Sequence, residues 1–131
     1  MVVRDSDGGV ISRSPLPDSG EFQIEYVHSY YNSPATEHFT AGENENFELV
    51  MVSSPSEAVL DYYELEGRKE IEGELLRLVL DEPQEFEALP LIGTQRGERT
   101  LVVSGERFTL YGEGGARHIV VKVEKDVFTG T

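Results

Sequence analysis

Several segments of this chain have a pattern of hydrophobic and polar positions that is typical of β-strands. The clearest example is "FQIEYVHSY" (22–30). Its even-numbered residues, Phe22 to Tyr30, fall on one face, and its odd-numbered residues, Gln23 to Ser29, fall on the other. Successive side chains of a strand point to opposite faces, so this pattern predicts a strand with one face towards a core.

Six further segments have a comparable strand pattern, and turn-forming residues such as "DEPQ", "SGE" and "GEGGA" separate several of them. They cover residues 35–41, 46–53, 74–80, 99–104, 107–112 and 117–125. Short strands joined by Gly-rich turns are typical of all-β domains. The sequence therefore predicts an antiparallel β-sandwich or barrel of roughly seven to nine strands.

One segment departs from the strand pattern, "SPSEAVLDYYELEG" (54–67). Ser54 stands at a helix-cap position, Pro55 follows at the first helical position, and Glu57 comes three residues after the cap. This arrangement is typical of a capping box, in which the cap and the acid satisfy free backbone N–H groups. We expect one short helix near residues 55–64, lying across an open end of the β structure.

Length and local composition indicate one domain with loose ends. A chain of 131 residues is long enough to bury a core without covalent cross-links. Residues 1–20 are rich in Asp, Ser, Gly and Pro, so we expect an irregular N-terminal arm. A single β domain is predicted for residues 21–125, followed by a C-terminal tail at 126–131.

The charge balance limits the classes of partner. Acids outnumber bases by 25 to 11, which gives a formal net charge of -14. Such a surface repels nucleic-acid phosphates and anionic lipid, so no nucleic-acid partner is expected. No run reaches the ~18 apolar residues of a membrane span, and residues 1–20 do not have the pattern of a signal peptide. Either the protein is cytoplasmic, or an N-terminal export segment is missing from this sequence, and membrane contact is expected only through such a missing N-terminal anchor. The chain has no cysteine, which excludes disulfides and thiolate metal sites.

The segment "YVHSYYNSPATEHF" (26–39) carries the candidate chemistry. If residues 31–34 form a four-residue hairpin loop, His28 falls directly opposite Glu37 on the core face, and His38 points to solvent. Directly opposed side chains stand about 4.5–5.5 Å apart at Cβ, close enough for an imidazole to donate to a carboxylate. This register predicts a His28–Glu37 pair at the edge of an apolar face.

Such a pair has two readings that the residues leave open. It can be a structural clamp that satisfies its own hydrogen bonds, or one wall of a ligand site that binds a carboxylate or hydroxyl of a small solute. The ligand-binding residues would then be His28, Ser29, Glu37 and Tyr26. A metal site that adds His118 has no characteristic ligand spacing, so neither a metal nor a cofactor is predicted.

Catalysis is not expected. Ser29 and His28 are adjacent in a predicted strand and therefore point to opposite faces, so the histidine cannot serve as the base for the serine. No other set of nucleophile, base and orienting group can be assembled from the sequence, so the chain is not predicted to be an enzyme. Tyr62 and Tyr63 offer phenol groups near the predicted helix, but tyrosines there most often pack.

The segment "FQIEYVHSYYNSPATEHF" (22–39) resembles the hallmark of a family known as domain of unknown function 1850. That hallmark is a strand of the form "F-x-h-x-Y-h-H-S", then a few residues, then "P-x-x-E-x-F". The matching positions are Phe22, Tyr26, His28, Ser29, Pro34, Glu37 and Phe39. The segment 97–123 is similar to the closing strands of the family, whereas "SSPSEAVLDYY" stands where many members have a Gly-rich "G-A-G".

The resemblance implies a setting and no reaction. Members of the family are small exported or membrane-tethered proteins encoded beside TRAP-type solute transporters, especially the TAXI subclass. It therefore implies an extracytoplasmic (periplasmic or cell-surface) location, a transporter subunit or solute-binding protein as partner, and a small organic solute as ligand. We expect a non-enzymatic accessory or small-ligand-binding component of such a system. The alternative is a structural or protein-interaction module without a ligand, in which His28–Glu37 clamps the hairpin.

Overall fold

The computed structural model describes residues 1–5, 7–42, 44–112 and 115–124. This part of the chain folds into eleven strands and one short helix. Their bounds are β1 (Val2–Asp5), β2 (Val10–Arg13), β3 (Glu21–His28), β4 (Ser33–Ala41), β5 (Phe47–Ser54), α1 (Glu57–Tyr62), β6 (Gly67–Glu72), β7 (Leu75–Phe86), β8 (Leu89–Gly93), β9 (Thr100–Val103), β10 (Glu106–Thr109) and β11 (Arg117–Lys122).

The strands form two antiparallel sheets that pack as a sandwich. The smaller sheet has the order β2-β1-β11-β8, and the larger has the order β10-β9-β3-β4-β5-β7-β6. The prediction of an all-β antiparallel sandwich is confirmed, and the sheets do not close into a barrel. The seven segments predicted as strands correspond to β3, β4, β5, β7, β9, β10 and β11.

The core lies between the inner faces of the two sheets. The larger sheet contributes Phe22 and Phe39, which face each other across β3 and β4 with ring centroids 5.0 Å apart. The smaller sheet contributes buried aliphatic side chains that include Val3 and Val121. Close approach between the end of β8 and the segment that follows β10 depends on Gly93, because a Cβ there would come within 1.9 Å of the Leu110 carbonyl oxygen.

Four strands were not predicted, namely β1, β2, β6 and β8. Three of them, β2, β6 and β8, lie at sheet edges and pair with one neighbour each. Edge strands need no continuous apolar face, and charged residues on them oppose unwanted pairing. The β6 sequence "GRKEIE" illustrates this, because it is mostly charged and its Ile71 is 78% exposed. Alternation was therefore a poor guide to these strands.

The prediction of an irregular N-terminal arm is wrong for the residues of β1 and β2. Strand β1 pairs with β11, with Val3 opposite Val121, and both valines are fully buried. Two short strands are enough to add this segment to the smaller sheet, despite the Asp, Ser and Gly residues that connect them. The predicted C-terminal tail, residues 126–131, lies outside the described residues.

The "DEPQ" segment (81–84) lies within strand β7, at a bulge, and is not a turn. Strand β7 runs without a break through it, pairing Val79 with Met51 and Gln84 with Leu49. Residues 80–83 of β7 therefore stand against Val50 alone on β5. Bulges accept residues that cannot join the regular ladder, which explains how turn-forming residues lie within a strand.

The predicted helix exists, but its start differs from the prediction. It spans Glu57–Tyr62 with Ser56 as its N-cap, and no side chain caps it. Ser54 instead ties the helix entry to the hairpin: its hydroxyl donates to the Pro34 carbonyl at 2.7 Å and accepts from the Ser56 N–H at 3.1 Å. The predicted capping box is therefore wrong. In the described residues, no helix is long and apolar enough to cross a membrane.

Candidate functional site

The β3–β4 hairpin turns through residues 29–32, two residues earlier than predicted. The Asn32 N–H closes the turn by donating to the His28 carbonyl at 2.7 Å. Asn32 has φ 51°, a left-handed conformation that asparagine tolerates better than most residues. Pro34, placed in the loop by the prediction, lies in β4 instead. It precedes the residues of β4 that pair with β5, a strand end where a missing N–H is tolerated.

The earlier turn changes the register, so the prediction that His28 lies opposite Glu37 is wrong. His28 lies opposite Ser33, and Glu37 lies opposite Ile24. The predicted and observed registers differ by an even number of residues, so the assignment of side chains to faces survives. His28 and Glu37 therefore still share the inner face of the hairpin, with the Tyr26–Ala35 pair between them.

A cleft of about 460 Å³, here called the hairpin cleft, opens along this inner face near the turn. All four residues predicted to bind a ligand line it: Tyr26, His28, Ser29 and Glu37. The other walls come from Tyr62 and Tyr63 at the end of α1, from Ile92 of β8, and from residues 94–99 before β9. This volume is within the range of about 300–1,000 Å³ typical of small-molecule sites.

A chain of hydrogen bonds crosses the floor of the hairpin cleft. The Tyr63 hydroxyl donates to Glu37 Oε2 at 2.9 Å. That donation uses the only proton of the Tyr63 hydroxyl, so the Tyr26 hydroxyl, which contacts it, donates to the Tyr63 oxygen. Strand β3, strand β4 and the C-terminal end of α1 are thereby connected through three polar side chains.

Burial is the main cause of the pKa shifts of Tyr26, Glu37 and Tyr63. It raises the pKa of the Glu37 carboxyl, against the opposing effects of the Tyr63 hydrogen bond and the Arg99 charge. Burial likewise raises the pKa of the Tyr26 hydroxyl. It also raises the pKa of Tyr63, assisted by the Glu37 charge, so Tyr63 stays a neutral donor. Each shift favours the uncharged form, as expected for groups withdrawn from water.

Arg99 supplies the positive charge of the hairpin cleft. Its Cζ lies 4.8 Å from the centroid of the Tyr26 ring, which is cation–π geometry. The ladder between β3 and β9 pairs Glu25 with Thr100, so Arg99 follows as the next position, beside Tyr26. No other described residue forms a hydrogen bond or an ion pair with its guanidinium group. The donors of this guanidinium are therefore available to a ligand.

His28 holds the turn. Its Nδ1 accepts from the backbone N–H groups of Tyr30 and Tyr31, each at 3.3 Å, so in the neutral ring the proton lies on Nε2. The imidazole is 6% exposed, and the Tyr62 ring packs edge-on against it at 4.7 Å. His28 therefore clamps its own turn and does not contact Glu37 directly.

Ser29 departs from the predicted strand geometry, whereas His38 lies on the outer face as predicted but is not fully exposed. Ser29 lies in the turn and not in a strand, so alternation does not govern it, and its carbonyl accepts from Arg96 at 3.1 Å. His38 is half-buried on the outer face, with Nε2 3.0 Å from the Ser53 hydroxyl. Burial and the Arg77 charge lower the pKa of His38.

His118 lies on β11 opposite Ile92, on the outer face of the smaller sheet. It is exposed and does not line the hairpin cleft, whereas His28 and Glu37 do. Within the described ranges, no three His, Asp or Glu side chains are grouped so that they could hold a metal ion. The three residues weighed for a metal site are therefore not brought together.

Sequence reasoning left Arg99 out and treated Tyr63 as a packing residue. Neither follows from the hairpin pattern, because each reaches the hairpin cleft from a separate element. The signal for Arg99 was its position next to "TLVV" (100–103), the strand that pairs with β3. That signal becomes readable only once the β3–β9 register is known.

Comparisons with protein-family models, with curated proteins and with solved structures give no match to this chain.

Proposed function

We propose that this protein is a non-enzymatic β domain that binds a small organic carboxylate in the hairpin cleft. The observation that carries the proposal is Arg99, a partly buried guanidinium in the cleft wall without a hydrogen-bond partner among the described residues. A guanidinium presents its donors in a planar fork that matches the two oxygens of a carboxylate. The cation–π contact with Tyr26 holds it in position before a ligand arrives.

A binding role agrees with the state of the other groups. Glu37 Oε2 and both phenol hydroxyls are held by fixed hydrogen bonds, so the cleft floor is already ordered. The Nδ1 of His28 accepts two backbone N–H groups of the turn and is not available as a base for Ser29. The arrangement supports recognition of a ligand and offers Ser29 no activation.

The resemblance to the family of unknown function extends the proposal to a setting. In that setting the protein lies outside the cytoplasmic membrane and serves a TRAP-type transporter, with a transporter subunit or solute-binding protein as its partner. Protease accessibility in intact cells that carry the natural gene tests the location. Crosslinking in those cells tests the partner. Protection of the protein from external protease would contradict the extracytoplasmic part and leave the carboxylate site in place.

Calorimetric titration with a panel of small carboxylates tests the binding function. We expect at least one carboxylate to bind the native protein, and Arg99→Gln to weaken that binding by about tenfold or more, since a charged donor pair is lost. Arg68→Gln is the matched control, because Arg68 is exposed on β6 and pairs with Glu70. Equal affinity in native protein and Arg99→Gln would contradict the proposal.

The alternative function, a protein-interaction module, retains one supporting observation. Tyr30 and Tyr62 are 77% and 62% exposed beside the hairpin cleft, and exposed tyrosines are common at protein interfaces. In that case His28 still clamps the turn, but the predicted His28–Glu37 contact plays no part. Failure of every carboxylate to bind would favour this alternative.

A further inference from the structure

We propose that the ligand of the hairpin cleft is a zwitterion with an apolar side chain, such as a hydrophobic amino acid. Its carboxylate would contact Arg99, and its ammonium group would contact Glu37. This inference rests on the proposed function and names the class of carboxylate that the site selects.

The first argument is that one carboxylate oxygen of Glu37 has no hydrogen-bond donor among the described residues. Its Oε2 accepts from Tyr63, whereas its Oε1 has no hydrogen-bond donor among the described residues. Among the described residues, Arg77 Nε is the only side-chain N or O atom that is both inaccessible to solvent and without a hydrogen-bond partner. Glu37 Oε1 and the Arg99 nitrogens are therefore reached by solvent, and both groups line the same cleft. One cleft thus presents one unpaired acceptor and one unpaired set of donors.

The second argument is the charge balance. Among the described residues, Glu37 and Arg99 are the only formally charged side chains, histidine apart, that line the hairpin cleft, and the Arg99 charge lowers the pKa of Glu37. A simple anion would be attracted by Arg99 but repelled by Glu37 and by a protein of net charge -14. A simple cation would be repelled by Arg99. A zwitterion complements both groups and has no net charge for the field of the protein to repel.

The third argument concerns the body of the ligand. Ile92 and Tyr62 line the hairpin cleft and are 51% and 62% exposed, so each presents apolar surface to water. The His28 and Tyr31 rings pack near the Tyr62 ring at 4.7 and 6.3 Å, which limits its movement. An aliphatic or aromatic side chain placed here would cover this surface, and its burial would add affinity.

Three matched probes test the inference: L-phenylalanine, hydrocinnamate, which lacks the ammonium group, and phenethylamine, which lacks the carboxylate. Isothermal titration is performed on native protein, Glu37→Gln and Arg99→Gln. L-Leucine with isocaproate, and glycine with acetate, repeat the comparison for smaller side chains. The thermal unfolding of each variant is recorded first, and Glu74→Gln, an exposed site, is the control for Glu37→Gln.

We expect an amino acid to bind native protein about tenfold or more tightly than its counterpart without the ammonium group, since a charge-assisted hydrogen bond is lost. Glu37→Gln should weaken the binding of L-phenylalanine and of phenethylamine and should not weaken the binding of hydrocinnamate. Arg99→Gln should weaken the binding of L-phenylalanine and of hydrocinnamate and should not weaken the binding of phenethylamine. This crossed pattern assigns each end of the ligand to one residue.

Two outcomes overturn the inference in different ways. If hydrocinnamate binds through Arg99 at least as tightly as L-phenylalanine, the ligand is a plain acid, and the proposed function stands without the zwitterion. If no probe binds, or Arg99→Gln changes none of the affinities, the proposed function fails together with the inference.

Discussion

The two halves of one hairpin face have opposite chemistry. In the half farther from the turn, Phe22 stacks on Phe39, and Phe47 packs edge-on against both rings, with centroid distances of 5.4 and 5.7 Å. In the half near the turn, Glu37 is held by Tyr63, and Tyr26 lies beneath the Arg99 guanidinium. The same two strands and the same face thus build a dry core at one end and a polar cleft at the other.

The difference lies in what completes each half. The apolar half is closed by rings from β5 and β7, which are the next strands of the same sheet. The polar half is closed by the end of α1 and by the segment before β9, which approach from outside the hairpin. Regular strand pairing makes the core, and irregular segments placed around it make the site, as is common for binding sites.

The largest effect is expected from breaking the apolar half. Phe39→Ala removes a fully buried ring that contacts Phe22, Phe47 and Phe86, and should lower the free energy of unfolding by about 3–5 kcal/mol. Chemical denaturation measures this loss. Ile71→Ala on β6 is the control, because Ile71 is 78% exposed and should cost about 0.5 kcal/mol or less. Equal losses would mean that the stacked rings are not the centre of the core.

Breaking the polar half should cost less. Tyr63→Phe removes the hydroxyl that donates to Glu37 and accepts from Tyr26, and should cost about 1–3 kcal/mol at neutral pH. The lost donation also raises the pKa of Glu37 further, because the Tyr63 hydrogen bond now lowers it. The cost should therefore shrink in acid, where Glu37 is protonated.

Denaturation of Tyr63→Phe at neutral and at acid pH checks this expectation. Tyr30→Phe is the matched control, since the Tyr30 side chain is 77% exposed and no described residue bonds to its hydroxyl. A loss that is the same at both pH values would show that Glu37 does not carry the effect.

Alternation predicted correctly which hairpin residues face inward, but it did not predict which residues pair across the hairpin in either half. It placed Phe22, Tyr26, His28 and Glu37 on one inner face, and the structure has them there. It could not fix the register, because Ser33 and Pro34 are turn-forming residues that the fold places in β4. An error of an even number of residues preserves the faces and changes every partner.

Contacts between residues far apart in the sequence could not be predicted, for a physical reason. Tyr63 contacts Glu37 across 26 positions, and Arg99 reaches Tyr26 only through the β3–β9 pairing. Neither contact has a local period, so no pattern within the hairpin indicates it. The edge strands were missed similarly, since β6 and β8 gain their place from one neighbour and not from an amphipathic repeat.

The smallest expected effect is on the pH dependence of stability. It involves two adjacent residues on opposite faces of β4, Glu37 and His38. Burial raises the pKa of Glu37 above its ordinary 4.5 and lowers the pKa of His38 below its ordinary 6.5. For Glu37, whose folded pKa is raised, the stabilising contribution is full below pH 4.5 and is lost as pH rises through the folded value. For His38, whose folded pKa is lowered, it is present above pH 6.5 and is lost as pH falls through the folded value.

Two single substitutions should therefore shift stability in opposite pH ranges. Glu37→Gln should raise the free energy of unfolding at neutral pH, by about 1 kcal/mol or less, and have little effect below pH 4.5. His38→Gln, which keeps a hydrogen-bonding partner for Ser53, should remove part of the stability that the native protein loses below pH 6.5. Arg77 favours neutral His38, whereas Glu21 and Glu25 favour its charged form. Urea denaturation across this pH range, with Glu74→Gln and His118→Gln as exposed controls, measures both. If both substitutions shifted stability in the same pH range, the two faces of β4 would not differ as the structure indicates.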